Sequence, residues 1–356
     1  MRIALVSDCY LPRLGGIELQ VHDLAVHLIR AGHDVTVFTI TEGSSVAGGI
    51  PVVRLPALAG VPLPAAVDRL HAALRRFDVV HCHSSLVSPL AWHAARLSDN
   101  PLLTLHSLPS PSTPWPVAQI DRYVGNVQWT AVSETVARVL QKHLPQRPIG
   151  VLHNGVDPAP WRQPRRTDRP LTIVSTMRLA RRKRPMAMLP ILEQIRSEVP
   201  SGVPLRAVLV GDGPQAATVT RAVRRRGLGD WVELPGRLTR FEIQQLYASA
   251  DVYLAPAELE SFGVAALEAR CAGLPVVAMA SGGVREFVRA GSEGYLVHTD
   301  SEMAASTASL LTNAADLSRI QEFNRSTDPV MTWTNVLAQH LAAYSAQRVP
   351  AALRTI

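Results

Sequence analysis

The chain has 356 residues, of which 47% are hydrophobic and 18% charged, with a formal net charge of +7 and three cysteines. That length and apolar content allow two domains with buried cores and exclude a disordered or fibrous chain. Cys9, Cys82 and Cys271 have neither metal nor disulfide spacing, so a reducing, cytoplasmic setting is expected.

Asp8 cuts the first apolar run far short of a signal segment. No uninterrupted apolar run approaches about 20 residues, the length that spans a bilayer. The positive charge leaves open an ordinary basic surface, an anionic ligand or an anionic membrane face. With no nucleic-acid motif and no aromatic residues among the basic runs, no nucleic-acid partner is expected.

RIALVS, residues 2–7, reads as a parallel-type strand, and DCYLPRLGG then ends in Gly15-Gly16. Apolar residues from Ile17 to Ile29 recur at helical spacing, Gly32 closes the helix, and DVTVFTI is a second strand. A strand, a Gly-rich turn and a helix make the unit found in nucleotide-binding α/β sheets. The fingerprint G-x-G-x-x-G is absent, which removes the best marker of a hydride-transfer enzyme.

Residues 43–66 read as irregular with one short strand, PVVRLP; VDRLHAALRRF is a helix, and DVVHCHS and PLLTLHS are strands. Ligands bind beyond the C-terminal ends of such strands, where His81, His83 and His106 fall. His81 and His83 are expected on opposite faces of their strand, so a shared ion is not expected. SLPSPSTPWP is a long Pro-rich loop, of lid or acceptor-facing type. QWTAVSETVARVLQKHL reads as a strand and a helix capped by Ser133, and Asn154-Gly155 by itself is a tight turn.

After a polar stretch rich in Pro and Arg at residues 158–170 the alternation restarts with LTIVSTM, followed by the cationic run from Arg178 to Arg184. That run is either a solvated face or, standing at a strand end, a phosphate clamp. MAMLPILEQI is an amphipathic helix, LRAVLVGDGP a strand ending in Gly211-Asp212-Gly213, VTRAVRRRGL a basic-faced helix, WVELPGRL a strand and turn, and FEIQQLYASA a helix. DVYLAPA and LPVVAMA are short buried strands around ELESFGVAALEARCAG, residues 258–273. There Ser261 is expected as N-cap, Gly263 leaves the first turn bare as an anion site, and Gly273 closes the helix. Glu260 and Glu268, eight positions apart, stand at the mouth and deeper along the wall; on spacing alone they read as two solvated acids. Beyond Gly282-Gly283 come the strand EGYLVHTD, the helical MAASTASLLTNAADLSRIQEF and a final helix, VMTWTNVLAQHLAAYSA.

The string from Glu258 to Gly273 resembles the E-x7-E signature of the retaining glycosyltransferases of family four, of the GT-B type. Gly15-Gly16-Ile17-Glu18, Thr104-Leu105-His106, Asn154-Gly155-Val156-Asp157, Arg178 with Lys183, and Gly211-Asp212-Gly213-Pro214 match further family strings. Arg184 departs from the Gly that often follows the family's Lys. The resemblance implies an α/β fold of two doubly wound Rossmann-like domains across a cleft: an acceptor-side domain at 1–160, a nucleotide-sugar domain at 168–328, and a helix at 329–356 crossing back to the first domain, with Trp333, Leu337 and Leu341 making the contact.

It also implies retaining transfer of a hexose from a nucleoside-diphosphate sugar, of GDP-mannose or UDP-glucose type, to a sugar, lipid or small-molecule hydroxyl. His106, Glu260, Arg178 and Lys183 would be catalytic. Gly15, Gly16, Gly211, Gly236, Arg237, Ser261, Phe262, Val264 and Glu268 would join Gly263 in holding the donor, and Asp8 with His106 the acceptor. No cofactor and no metal are expected: no Asp-x-Asp pair stands at an obvious strand end, and cations and helix dipoles would neutralise the leaving group. Arg75 and Arg76 suit an anionic lipid surface at the inner face of the cell membrane, and serve equally as solvated residues. The same fold and clamps would also serve a nucleotide-sugar epimerase or a non-catalytic binding protein.

Overall fold

The computed structural model describes residues 1–109, 116–166 and 169–347. It divides into two compact units, one of Met1–Gly155 with the helix beginning at Trp333, the other of Val156–Thr332.

The first unit contains β1 (Arg2–Ser7), β2 (Asp34–Thr39), β3 (Val46–Ala47), β4 (Ile50–Arg54), the small hairpin β5 (Ala57–Leu58) and β6 (Val61–Pro62), β7 (Val79–Ser84), β8 (Leu102–Leu105), β9 (Gln128–Ala131) and β10 (Gly150–Val151). Its sheet runs β10-β9-β8-β7-β1-β2-β4-β3 and is parallel except for the edge pair of β3 with β4. Residues Ile3 to Ser7 of β1 are all buried, as a strand covered on both faces by helices must be. Those helices are α1 (Gly16–Arg30), α2 (Pro64–Leu74), α3 (Pro89–Arg96), α4 (Val117–Val124) and α5 (Glu134–His143). Ser133 caps α5 by accepting from the Val136 amide at 3.0 Å, as expected. The order of strands reverses between β1 and β7, so their C-terminal ends form the crevice where such a sheet takes a ligand.

The second unit holds β11 (Leu171–Thr176), β12 (Leu205–Val210), β13 (Val232–Gly236), β14 (Val252–Ala255), β15 (Val276–Met279) and β16 (Gly294–Val297), in the order β13-β12-β11-β14-β15-β16. All neighbours pair in parallel, which is the doubly wound arrangement with its switch point between β11 and β14. The helices are α6 (Met188–Glu198), α7 (Ala216–Arg225), α8 (Arg240–Ala248), α9 (Val264–Cys271), α10 (Asp300–Thr312) and α11 (Ala314–Ser326). Ile173, Val252, Leu254 and Val277 pack with Leu189, Leu192 and Ile195 in the core of this unit. Asp251 anchors the entry to the sheet: its carboxylate meets Arg165 at 2.7 Å and Arg169 at 2.5 and 3.0 Å, and accepts from the Thr172 amide at 2.8 Å.

Three expectations change. Helices α3 and α4 are left unassigned in the sequence; α3 begins on Pro89, and proline at a first turn is compatible with a helix. Residues 110–115 of the Pro-rich segment lie outside the described residues. The helical stretch after Asp300 is broken at Asn313, whose side chain caps α11 on the Asp316 amide at 3.1 Å. In α12 (Trp333–Gln347) the buried face is Trp333, Val336, His340 and Tyr344, not Leu337 and Leu341, which are only partly covered. Trp333 stacks on His27 at 4.8 Å, and the Tyr344 hydroxyl bonds His81 Nδ1 at 2.8 Å.

A buried imidazole nitrogen deprived of its partner is expensive, at about 1–3 kcal/mol. Tyr344→Phe is therefore expected to lower the thermal midpoint by several degrees with the fold intact by circular dichroism. An unchanged midpoint would show that the hydroxyl contributes nothing.

Candidate functional site

In the second unit the cationic run follows β11 and the glutamate loop follows β14, so both stand at the switch point. Lys183 Nζ lies 2.5 Å from Glu260 Oε2, an ion pair with side chains 32% and 18% exposed. Arg182 donates to the Leu259 carbonyl at 3.0 and 3.2 Å; burial lowers its pKa and the Glu260 charge opposes that. Arg184 grips Asp300 through two bonds of 2.9 and 2.8 Å and donates to the Pro256 carbonyl at 2.9 Å. The run is thus stapled to the Pro256–Ser261 loop by three of its cations, while Arg178 and Arg181 stay exposed. Arg184 has φ +56, the left-handed conformation that suits glycine, which accounts for the family's usual Gly at this step. Here the bidentate pair with Asp300 holds an arginine there instead.

The helix start itself differs from expectation. Its N-cap is Gly263 at φ +98 and ψ 49, not Ser261, and no side chain caps it. A Cβ on Gly263 would stand 2.6 Å from Val284 Cγ2, and one on Gly283 would stand 2.4 Å from the Ser261 carbonyl oxygen. The Gly283 amide donates to the Glu260 carbonyl at 2.8 Å, so two glycine turns interlock and leave the first amides of α9 uncovered by side-chain caps. Ser261 lies at the margin of the loop, 3.5 Å from Arg182 Nη2, and Phe262 is buried against Phe287 at 5.6 Å. Val264 opens α9, and Glu268 on the same helix meets Arg240 at 3.4 Å.

Gly211 has φ +136, and a Cβ there would stand 1.8 Å from the Met177 carbonyl oxygen. The Gly211 amide donates to the Gly236 carbonyl at 2.8 Å, which brings Gly211, Gly236 and exposed Arg237 beside the backbone that carries Arg178.

In the first unit, Gly15 is the N-cap of α1, with no side-chain cap bond, and Gly16 has open space around its Cα. The buried Glu18 carboxylate folds back over Gly15, and Arg13 pairs with it at 3.1 Å. Asp8, after β1, accepts from the Leu90 and Ala91 amides at 3.0 and 3.1 Å and so caps α3. Burial raises its pKa to about 6, those two bonds opposing.

At the ends of β7 and β8, His83 Nδ1 bonds His106 Nε2 at 2.9 Å. His81 and His83 share one face, with rings 4.1 Å apart, against the expectation of opposite faces. Residues two apart on a strand point the same way, so that expectation inverted the period. His81 is occupied by Tyr344 and by Thr104 Oγ1 at 2.6 Å. Burial lowers the pKa of His106 to about 3 and of His340 to about 4, and pushes His81 and His83 down as well. All four are neutral at pH 7. Among the described residues no group of three or more His, Cys, Asp or Glu side chains could hold a metal ion. Gln20, which carries no motif in the sequence, is buried and bonds both the amide and the carbonyl of Gly155, at 3.1 and 3.2 Å.

Residues 159–327 match the family Glycosyl transferases group 1, and residues 14–160 match Glycosyltransferase Family 4. The chain belongs to the group 1 glycosyltransferases of family 4, and its fold is GT-B. It is 26% identical over 316 residues to a human phosphatidylinositol N-acetylglucosaminyltransferase subunit, covering 80% of this chain and 63% of that protein. It is 28% identical over 330 residues to a GDP-mannose-dependent alpha-(1-6)-phosphatidylinositol monomannoside mannosyltransferase of Mycobacterium tuberculosis, covering 83% and 85%. Among solved structures, Anabaena HepE in complex with UDP and glucose superposes with a TM-score of 0.79 at 18% identity, covering 97% of this chain and 99% of that one.

Because the folded Asp8 carboxyl titrates near 6 rather than 3.8, its contribution to stability is complete below pH 3.8 and is lost as pH rises through 6. That amounts to about 3 kcal/mol across the window. Unfolding of the protein and of Asp8→Asn from pH 4 to 7 should show the wild type losing stability relative to the variant. Parallel profiles would contradict this.

Proposed function

We propose that this protein is a retaining glycosyltransferase that moves a hexose from a nucleoside-diphosphate sugar to an acceptor hydroxyl, without a metal. The observation that carries it is the Lys183–Glu260 pair at 2.5 Å beside the interlocked glycine turns at the switch point of the second unit. Lys183 and exposed Arg178 neutralise the diphosphate, together with the amides at the start of α9. Gly211, Gly236 and Arg237 flank the nucleoside, and Glu268 accepts from its ribose hydroxyls. Glu260 orients the sugar hydroxyls, and His106 holds the sugar.

The bond from the anomeric carbon to the phosphate oxygen breaks while the acceptor oxygen bonds that carbon on the same face. The acceptor proton passes to the departing phosphate oxygen, so no protein base is consumed. The names of the two relatives above favour a phosphatidylinositol-type acceptor. Exposed Leu58 and Val61 at the β5–β6 hairpin, with exposed Arg75 and Arg76 beyond α2, support contact with an anionic membrane face.

Release of UDP or GDP from the sugar nucleotide is expected to depend on added phosphatidylinositol-type acceptor. Lys183→Ala and Glu260→Gln should each lower kcat by about 10²–10³. Conversion of the sugar without acceptor would make the protein an epimerase, and binding without turnover a binding module. In flotation, vesicles containing anionic lipid should carry the protein at low salt and release it at high salt; no association at low salt would remove the membrane from the account.

A further inference from the structure

The His83–His106 pair leaves one polar group unused. His83 is 4% exposed, its Nδ1 is taken by His106, and its Nε2 has no hydrogen-bond partner. His83 lines a small pocket within the first unit, whose wall also holds Gln20, His106, Asn154, Leu24 and Leu152. Three polar neighbours are committed elsewhere. His81 is held by Tyr344 and Thr104, and His340 donates its Nδ1–H to the Val336 carbonyl at 2.9 Å. Gln20 is spent on Gly155. Buried polar atoms are almost always partnered, and one left bare on a side chain that lines a pocket is a position that a small polar group such as a hydroxyl completes.

We infer that His83 Nε2 binds a ring hydroxyl of a polyol substrate, and that this bond sets which nitrogen of His106 carries the proton. This rests on the glycosyltransferase reading and extends it to a second histidine. Both rings are neutral, so one proton lies between His83 Nδ1 and His106 Nε2. If His83 Nδ1 donates, its Nε2 is an acceptor and His106 carries its proton on Nδ1. If His106 Nε2 donates, His83 Nε2 carries a proton and donates outward. A hydroxyl satisfies either state, but one that donates to His83 selects the first and turns a His106 Nδ1–H toward the substrate. His83 is thus a binding residue on one side and a positioning residue for His106 on the other.

Two replacements separate these roles. Asn reproduces the Nδ1 position and keeps the link to His106 without the outward group. Gln reproduces the Nε2 position and loses the link. With the full chain, His83→Asn is expected to raise KM for the bound substrate about three- to tenfold at nearly unchanged kcat, and His83→Gln to lower kcat with a smaller change in KM. Imidazole ¹⁵N spectra of the wild type provide a readout that does not depend on variants folding. The His83 Nε2 resonance should move on addition of UDP-glucose or GDP-mannose and not with UDP or GDP, if the hydroxyl is the donor's. It should move with myo-inositol 1-phosphate if the hydroxyl is the acceptor's. A resonance that stays still both with saturating sugar nucleotide and with myo-inositol 1-phosphate, or an Asn variant with wild-type KM for both substrates, overturns the inference and leaves the transferase reading standing. If no sugar nucleotide binds at all, both fall together.

Discussion

The second unit depends on a place where two turns of backbone touch without side chains between them. Gly282 and Gly283 lie against Glu260 and Ser261 so closely that a Cβ on either would meet the loop at 2.9 Å or less. The Gly283 amide closes the contact on the Glu260 carbonyl at 2.8 Å. This packing fixes the direction in which Glu260 leaves the chain, and with it the partner that Lys183 finds. It also explains why α9 begins on a glycine in the left-handed region: a side chain there would strike Val284. A helix start without a capping side chain is a poor stability choice and a good anion site.

The cations around this point divide into two groups by what they touch. Arg182 and Arg184 serve the loop, one on the Leu259 carbonyl and one on Asp300 and Pro256. They hold the frame and are largely consumed by it. Arg178 and Arg181 stay exposed, while Lys183 pairs with the Glu260 carboxylate rather than with the loop's backbone. In the first unit the carboxylate of Asp8 is likewise consumed, as the cap of α3, while the paired His83 and His106 keep a free edge.

Much of this was legible in the sequence because parallel strands buried on both faces are written as apolar runs, and β1, β11, β14 and β15 are such runs. Glycine pairs at strand ends marked the close approaches. What escaped was chemistry that depends on partners far along the chain. Ser261 looks like a cap, but tertiary packing moved the helix start two residues on, to Gly263. In α12 the polar His340 and Tyr344 are buried and Leu337 and Leu341 are not, because β7 offers His81 as a partner and hydropathy alone cannot foresee that. The shared face of His81 and His83 was legible from the two-residue period of a strand and was misjudged; applied correctly, that period places both rings together.

The central claim is that the glycine turns and their cations form a nucleoside-diphosphate site. Thermal unfolding of the purified chain with UDP, GDP and their hexose conjugates, without added metal, tests it most directly. A ligand at 100 times its dissociation constant adds about 2.7 kcal/mol to stability. The account predicts a rise of several degrees with the nucleotides of one base, diminished in Lys183→Ala. No rise with any of them, with wild type and variant unfolding alike, would contradict it and leave the cations as a frame for the loop alone.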